Sequence, residues 1–144
     1  MADLDLDRFV TAQAGTYEQA VVELRRGRKN GHWIWFVFPQ IAGLGRSANA
    51  WHFGLRGIDE ARAYLGHPIL GPRLRTCVET LLSHRGRSAE AILGPLDAMK
   101  LRSSMTLFEL AAEDPAPFAQ VLEAFFEGER DKLTLERLAG GDCP

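Results

Sequence analysis

The nine residues His32-Trp33-Ile34-Trp35-Phe36-Val37-Phe38-Pro39-Gln40 decide how this chain is read. Trp33, Trp35, Phe36 and Phe38 are aromatic and Ile34 and Val37 are β-branched, a content that favours a strand. An unbroken apolar run of this length fits a buried helix equally well. Periodicity leaves both open, and Pro39 ends the element in either case.

Working outward, the rest of the chain carries helical spacing. Leu6, Phe9, Val10 and Gln13 recur at three- and four-residue intervals, which predicts a first short helix over residues 5–14. Thr16 followed by Gln19 is a capping-box pattern, and the stripe Tyr17, Ala20, Val21, Leu24 then stops at Gly27. Downstream, residues 41–47 read as a loop ending in Ser47, an N-cap for a short helix that reaches Gly54. Another helix fits residues 58–65, and after Pro72 the stripe Leu74, Cys77, Val78, Leu81, Leu82 has the spacing of a helix facing a core. Ile-Leu-Gly-Pro occurs at residues 69–72 and 92–95, too short to be a repeat. In both copies it reads as Gly closing one helix and Pro opening the next. Ser88 caps a short helix before the second copy.

From Pro95 the stripe Ala98, Leu101, Met105, Phe108, Ala112 is widened by Leu107, Leu110 and Ala111, so this helix should be largely buried. Phe118, Val121, Leu122 and Phe125 mark a further helix, and Asp131 caps a last one ending at Leu138. The expectation is an all-α, compact single domain of about eight helices over residues 1–144, with its core at about 4–138, a short loose C-terminal tail and no assigned strand.

Composition bounds the function. At 144 residues, with 46% hydrophobic and 25% charged, the chain suits one well-buried domain. A net charge of −2 and a pI of about 6.1 give no reason to expect nucleic acid as a partner. The N-terminus is acidic where a signal peptide is basic, and no apolar run approaches the ~20 residues of a membrane helix. Two cysteines, Cys77 and Cys143, make neither a disulfide framework nor a zinc site. A cytoplasmic location is expected, with no metal, cofactor or membrane.

Asp7-Arg8-Phe9-Val10-x-Ala12-Gln13, His32-Trp33-x-Trp35-Phe36-x-Phe38-Pro39-Gln40, Gly43-Leu44-Gly45-Arg46-Ser47 and the run from Lys100 to Phe108 resemble the DUF1810 family, a family of unknown function. The likeness spans about residues 4–138. It implies a mainly helical domain, which tips residues 33–38 away from a sheet, and it implies no established activity. Some members are labelled calpastatin, a protease inhibitor with disordered polar repeats, and the composition here contradicts that label. Two departures stand out: Gly31, where a Ser or Thr hydroxyl is more usual, and the aromatic pair Trp51-His52.

Two clusters carry the candidate chemistry. In the first, His32, Trp33, Trp35 and Gln40 set polar groups among aromatic walls, as small-molecule pockets do; the alternative is that the aromatics simply fill the core. In the second, Lys100, Arg102, Ser103 and Ser104 sit early on a helix predicted to be buried, where cations and hydroxyls must find partners. A bound anion would supply one, and a structural network with Lys100 on an internal acid is the alternative. The basic run Arg25-Arg26-Gly27-Arg28-Lys29, with Arg46 and Ser47 in the glycine loop, can draw a phosphate-bearing ligand inward or simply be a solvated helix end. No triad acid or nucleophile elbow accompanies the serines, so no catalytic residue is assigned. The expectation is a small anionic metabolite, phosphorylated or nucleotide-like, held between residues 32–40 and 100–104. The alternatives are a protein-interaction module with a helical groove and a hydrolase of a nucleotide or ADP-ribose-type substrate.

Overall fold

The computed structural model describes residues 6–139; Cys143, the acidic start of the chain and the expected C-terminal tail lie outside them. Among the described residues there are ten helices and no sheet: α1 Asp7–Gln13, α2 Tyr17–Arg26, α3 Ile34–Val37, α4 Ala48–His52, α5 Ile58–Gly66, α6 Leu70–Leu82, α7 Ala89–Leu93, α8 Pro95–Ala111, α9 Ala116–Phe126 and α10 Lys132–Ala139. The count exceeds the expected eight or so because α3, a piece of four residues left open between strand and helix, adds to the short helices capped by Ser47 and Ser88. Pieces that short carry too little periodicity to be counted reliably.

The ambiguous run resolves as a single helical turn. Val37 N donates to Trp33 O at 3.1 Å and Phe38 N to Ile34 O at 3.0 Å. A strand needs a partner ladder for its backbone groups. Among the described residues there are two isolated bridges and no ladder: Arg85 with Arg87, and Ile41 with Leu55, where Ala42 N donates to Leu55 O and Leu55 N to Gln40 O.

Helix α8 is the axis of the molecule, packed against α3, α5, α7, α9 and α10. Leu101, Met105, Leu107, Phe108 and Ala111 are all buried, on more than one face of the helix, but Leu110, expected to widen that stripe, is 47% exposed. From Phe108 a row of ring contacts crosses the core: Phe118 on one side at 5.8 Å between centroids, and Tyr64, Phe9, Phe53 and Phe36 in succession on the other. Gln13, the odd polar member of its stripe, is buried beside these rings. Its amide donates to Phe36 O at 2.7 Å and to Tyr64 Oη at 3.1 Å, tying α1 to α3 and α5.

Caps follow the sequence at several ends. Ser47 and Ser88 accept from the backbone N–H groups of Ala50 and Ala91, Asp131 accepts from Thr134 N, and Gly27 closes α2 at φ 73°. Thr16 makes no side-chain cap, and the Gln19 side chain turns to Glu23, so neither half of the capping box forms. The two Ile-Leu-Gly-Pro copies also part company. Gly94 does precede Pro95 at the start of α8, but Leu70, Gly71 and Pro72 all lie within the first turn of α6. A Cβ on Gly71 would stand 2.2 Å from Leu65 O, so glycine serves there as a close approach to α5.

Candidate functional site

The segment leading into α3 hangs from one buried carboxylate. Glu23, on the inner face of α2, accepts through Oε1 from Asn30 N at 2.7 Å, Gly31 N at 2.9 Å and Trp33 Nε1 at 2.8 Å, and through Oε2 from Gln19 Nε2 at 2.8 Å. Burial raises the pKa of this carboxyl, but the four donors outweigh it and hold the value down at about 2, against 4.5 ordinarily. Glu23 is therefore a structural anion. Its role was not legible from the helix stripe, where position 23 reads as one more polar residue.

Lys29 is the buried member of the basic run. Its ammonium meets Asp97 at 2.6 Å, donates to Gly31 O and lies 5.0 Å from the centre of the Trp33 ring. Asp97, in the first turn of α8, also faces Lys100 at 3.5 Å, and Lys100 in turn lies 5.6 Å over Trp35. The result is a continuous series: Trp33, Lys29, Asp97, Lys100, Trp35. It joins the aromatic segment to the start of α8, with the shared acid supplied by a residue that neither candidate cluster contained.

The remaining candidate residues divide. Trp33 is fully buried and occupied by Glu23, whereas Trp35 is half-buried and His32 is exposed. Gln40 and Trp35 face Asn49, Ala50, Phe53 and Gly54 around a recess of about 10 Å³, the scale of one water. Arg46 and Ser47 lie on the exposed approach to α4, Ser47 as its cap. Arg102 points to Glu129 at 3.5 Å and to the Phe126 ring. Ser103 donates to Asp131 Oδ2 at 2.9 Å, and Thr106 accepts from Asp131 N. Arg102 and Ser103 thus take their partners from the C-terminal segment packed on α8, while Lys100 takes its partner from Asp97. Among the described residues, no hydrogen bond joins Lys100 to either serine. The rest of the basic run behaves as a helix end: Arg25, Arg26 and Arg28 are exposed, and His84 Nε2 reaches the carbonyls of Leu24 and Arg25 at 2.8 and 3.0 Å.

The DUF1810 family, described as a protein of unknown function, matches residues 3–138. The chain belongs to this family. A DUF1810 relative of known structure is the conserved hypothetical protein Rv1873 from Mycobacterium tuberculosis, 49% identical, with a TM-score of 0.93 over 94% of this chain and 97% of that one. No curated protein matches the chain.

Within this DUF1810 domain, Gly31 does not stand where a hydroxyl would cap a helix. It lies two residues ahead of Trp33, the N-cap position of α3, and a Cβ there would meet Gln19 and Trp33 at 3.1 Å. Cys77 is buried in α6, and burial pushes its thiol up to about 12, so it acts as an apolar core residue. Ser104 is the anomaly. Its hydroxyl is fully buried and has no hydrogen-bond partner, while the neighbouring Ser103 donates to Asp131 and Thr106 to the carbonyl of Arg102 one turn back. An orphaned buried hydroxyl carries a desolvation penalty of about 1–3 kcal/mol. Ser104→Ala is accordingly expected to stabilise the domain by roughly 0.5–1 kcal/mol in urea unfolding. A loss of stability would mean that the hydroxyl is engaged.

Proposed function

We propose that this DUF1810 domain binds a small anionic ligand, phosphorylated or nucleotide-like, on the surface shared by His32, Trp35 and Lys100. The observation that carries the reading is the position of Lys100. Its ammonium lies over a half-buried indole and is 3.5 Å from an acid that already gives its close contact, at 2.6 Å, to Lys29. An ammonium has three N–H donors, and the looser pairing leaves Lys100 donors to offer. With 26% of its side chain exposed, it can reach a phosphate without being dug out of the core. Trp35 offers a flat apolar face beside that charge, and exposed His32 adds a group that donates from one ring nitrogen when neutral and from two when protonated. Gln40 shares a small recess with Trp35, and Arg46 and Ser47 stand exposed at the start of α4.

Thermal shift against nucleotides, sugar phosphates and ADP-ribose-type compounds tests it, because any ligand that binds only the native state raises the melting temperature, increasingly so as its concentration exceeds its dissociation constant. At least one phosphorylated compound at millimolar concentration is expected to stabilise the protein, and Lys100→Met is expected to abolish that shift. The Lys100–Asp97 pair is partly exposed and long, so the substitution itself should cost no more than about 1 kcal/mol. An unchanged melting temperature across all the compounds, or a shift that survives in Lys100→Met, defeats the proposal.

A second reading, a protein-interaction surface, rests on Leu96 and Met99. They flank the same region of α8 and are 70% and 60% exposed, unusual for large apolar side chains one turn apart.

A further inference from the structure

A cleft of about 750 Å³ opens where α5 and α8 end against α6, well apart in sequence from the aromatic segment. Its size falls in the range of small-molecule sites. Arg62 and Arg75 line it together with Glu113 and Asp114, over an apolar base that includes Leu65 and Ala111. Two cations and two anions therefore share one recess, and none of the four pairs with another of the four. Arg75 and Glu113 have no hydrogen-bond or ion-pair partner among the described residues. Arg62 has only a distant, exposed contact with Asp59 at 3.9 Å, worth little. Asp114 gives one oxygen to Ala116 N at 3.2 Å and keeps the other.

Unpaired opposite charges that line the same cleft stand too far apart to neutralise each other directly. A ligand that carries both signs can meet both. A simple anion drawn by the arginines would face two carboxylates, and a simple cation drawn by the carboxylates would face two guanidinium groups. The backbone adds to this asymmetry. Helices α5 and α8 end at Gly66 and Ala111, and their C-terminal carbonyls favour positive charge. We infer that the cleft between the C-terminal ends of α5 and α8 is a second binding site, one for a small zwitterion of the free amino-acid type. The ammonium would lie toward Glu113, Asp114 and the helix ends. The carboxylate would lie toward Arg62 and Arg75, whose planar guanidinium groups suit bidentate contact.

Titration of the ¹⁵N-labelled full chain with individual proteinogenic amino acids at millimolar concentration tests this, followed by amide shifts. Acetate and methylammonium serve as the two half-ligands. The expected result is saturable movement of the Gly66, Ala111 and Ala112 amides with at least one amino acid, at an affinity about tenfold or more above either half-ligand. Arg75→Ala and Glu113→Ala, both at exposed positions, should each remove that saturation while leaving the rest of the spectrum in place. The inference is overturned if no amino acid saturates these amides, if acetate or methylammonium alone does so as tightly, or if the movement persists in both variants.

Discussion

Glu23→Ala is expected to lower the stability of the domain by roughly 2–4 kcal/mol, because the buried Trp33 indole N–H stranded without its acceptor costs about 1–3 kcal/mol and two part-buried backbone N–H groups add less. The Trp33 indole N–H and the backbone N–H groups of Asn30 and Gly31 all lose their partner at once. Chemical denaturation with an unchanged m-value is the check, and a loss below about 1 kcal/mol would show that the segment before α3 holds without this carboxylate. The same residue sets an acid dependence. Its folded-state pKa of about 2 lies below the ordinary 4.5, so the charged form is the one that folding favours. The contribution is complete above pH 4.5 and is lost as pH falls toward 2, amounting to about 3 kcal/mol from a shift of this size. Glu23→Gln should flatten that part of the stability curve. An acid limb that keeps its full depth in Glu23→Gln would assign it to other carboxylates.

Arg8→Met is expected to cost a similar amount, about 3–5 kcal/mol, by leaving a buried carboxylate unpaired. Glu60 has only 3% of its side chain exposed and meets Arg8 at 3.3 Å; its other contact is Arg56 N at 2.9 Å. Arg8 also donates to the carbonyls of His52 at 2.7 Å and Gly54 at 3.0 Å, so it ties the segment after α4 to α1 and α5. The double variant Arg8→Met, Glu60→Leu separates the two roles. Removing both charges should recover more than half of the loss, since an apolar pair can replace a buried ion pair at little net cost. If the double variant is as unstable as the single one, the damage comes from the released carbonyls and not from the stranded charge.

The helices whose stripes run over two turns or more could be read residue by residue. α2, α6, α8 and α9 carry their apolar stripes onto buried faces, and Ser47, Ser88 and Asp131 cap as their positions require. The run from His32 to Gln40 could not be read that way, because a strand and a buried helix demand the same apolar content. What separates them is whether a partner strand stands alongside, which no local pattern contains. The candidate site was legible in part for the same reason. Lys100 and Trp35 were singled out by residue type, and the contact between them is real. Asp97, which joins Lys100 to Lys29, was invisible because an acid in the first turn of a helix reads as an ordinary end effect.

By itself the sequence determined the helical class, the burial of much of α8, most caps and the absence of a strong whole-chain field. Each of these follows from local spacing or from overall composition. Only the tertiary structure decided that Glu23 holds the segment before α3, that Lys29 is buried while its basic neighbours are solvated, and that Ser103 and Ser104 part ways on one helix. Those outcomes depend on which distant groups arrive beside a side chain. A buried charge or hydroxyl takes its role from that encounter and not from its neighbours in the chain.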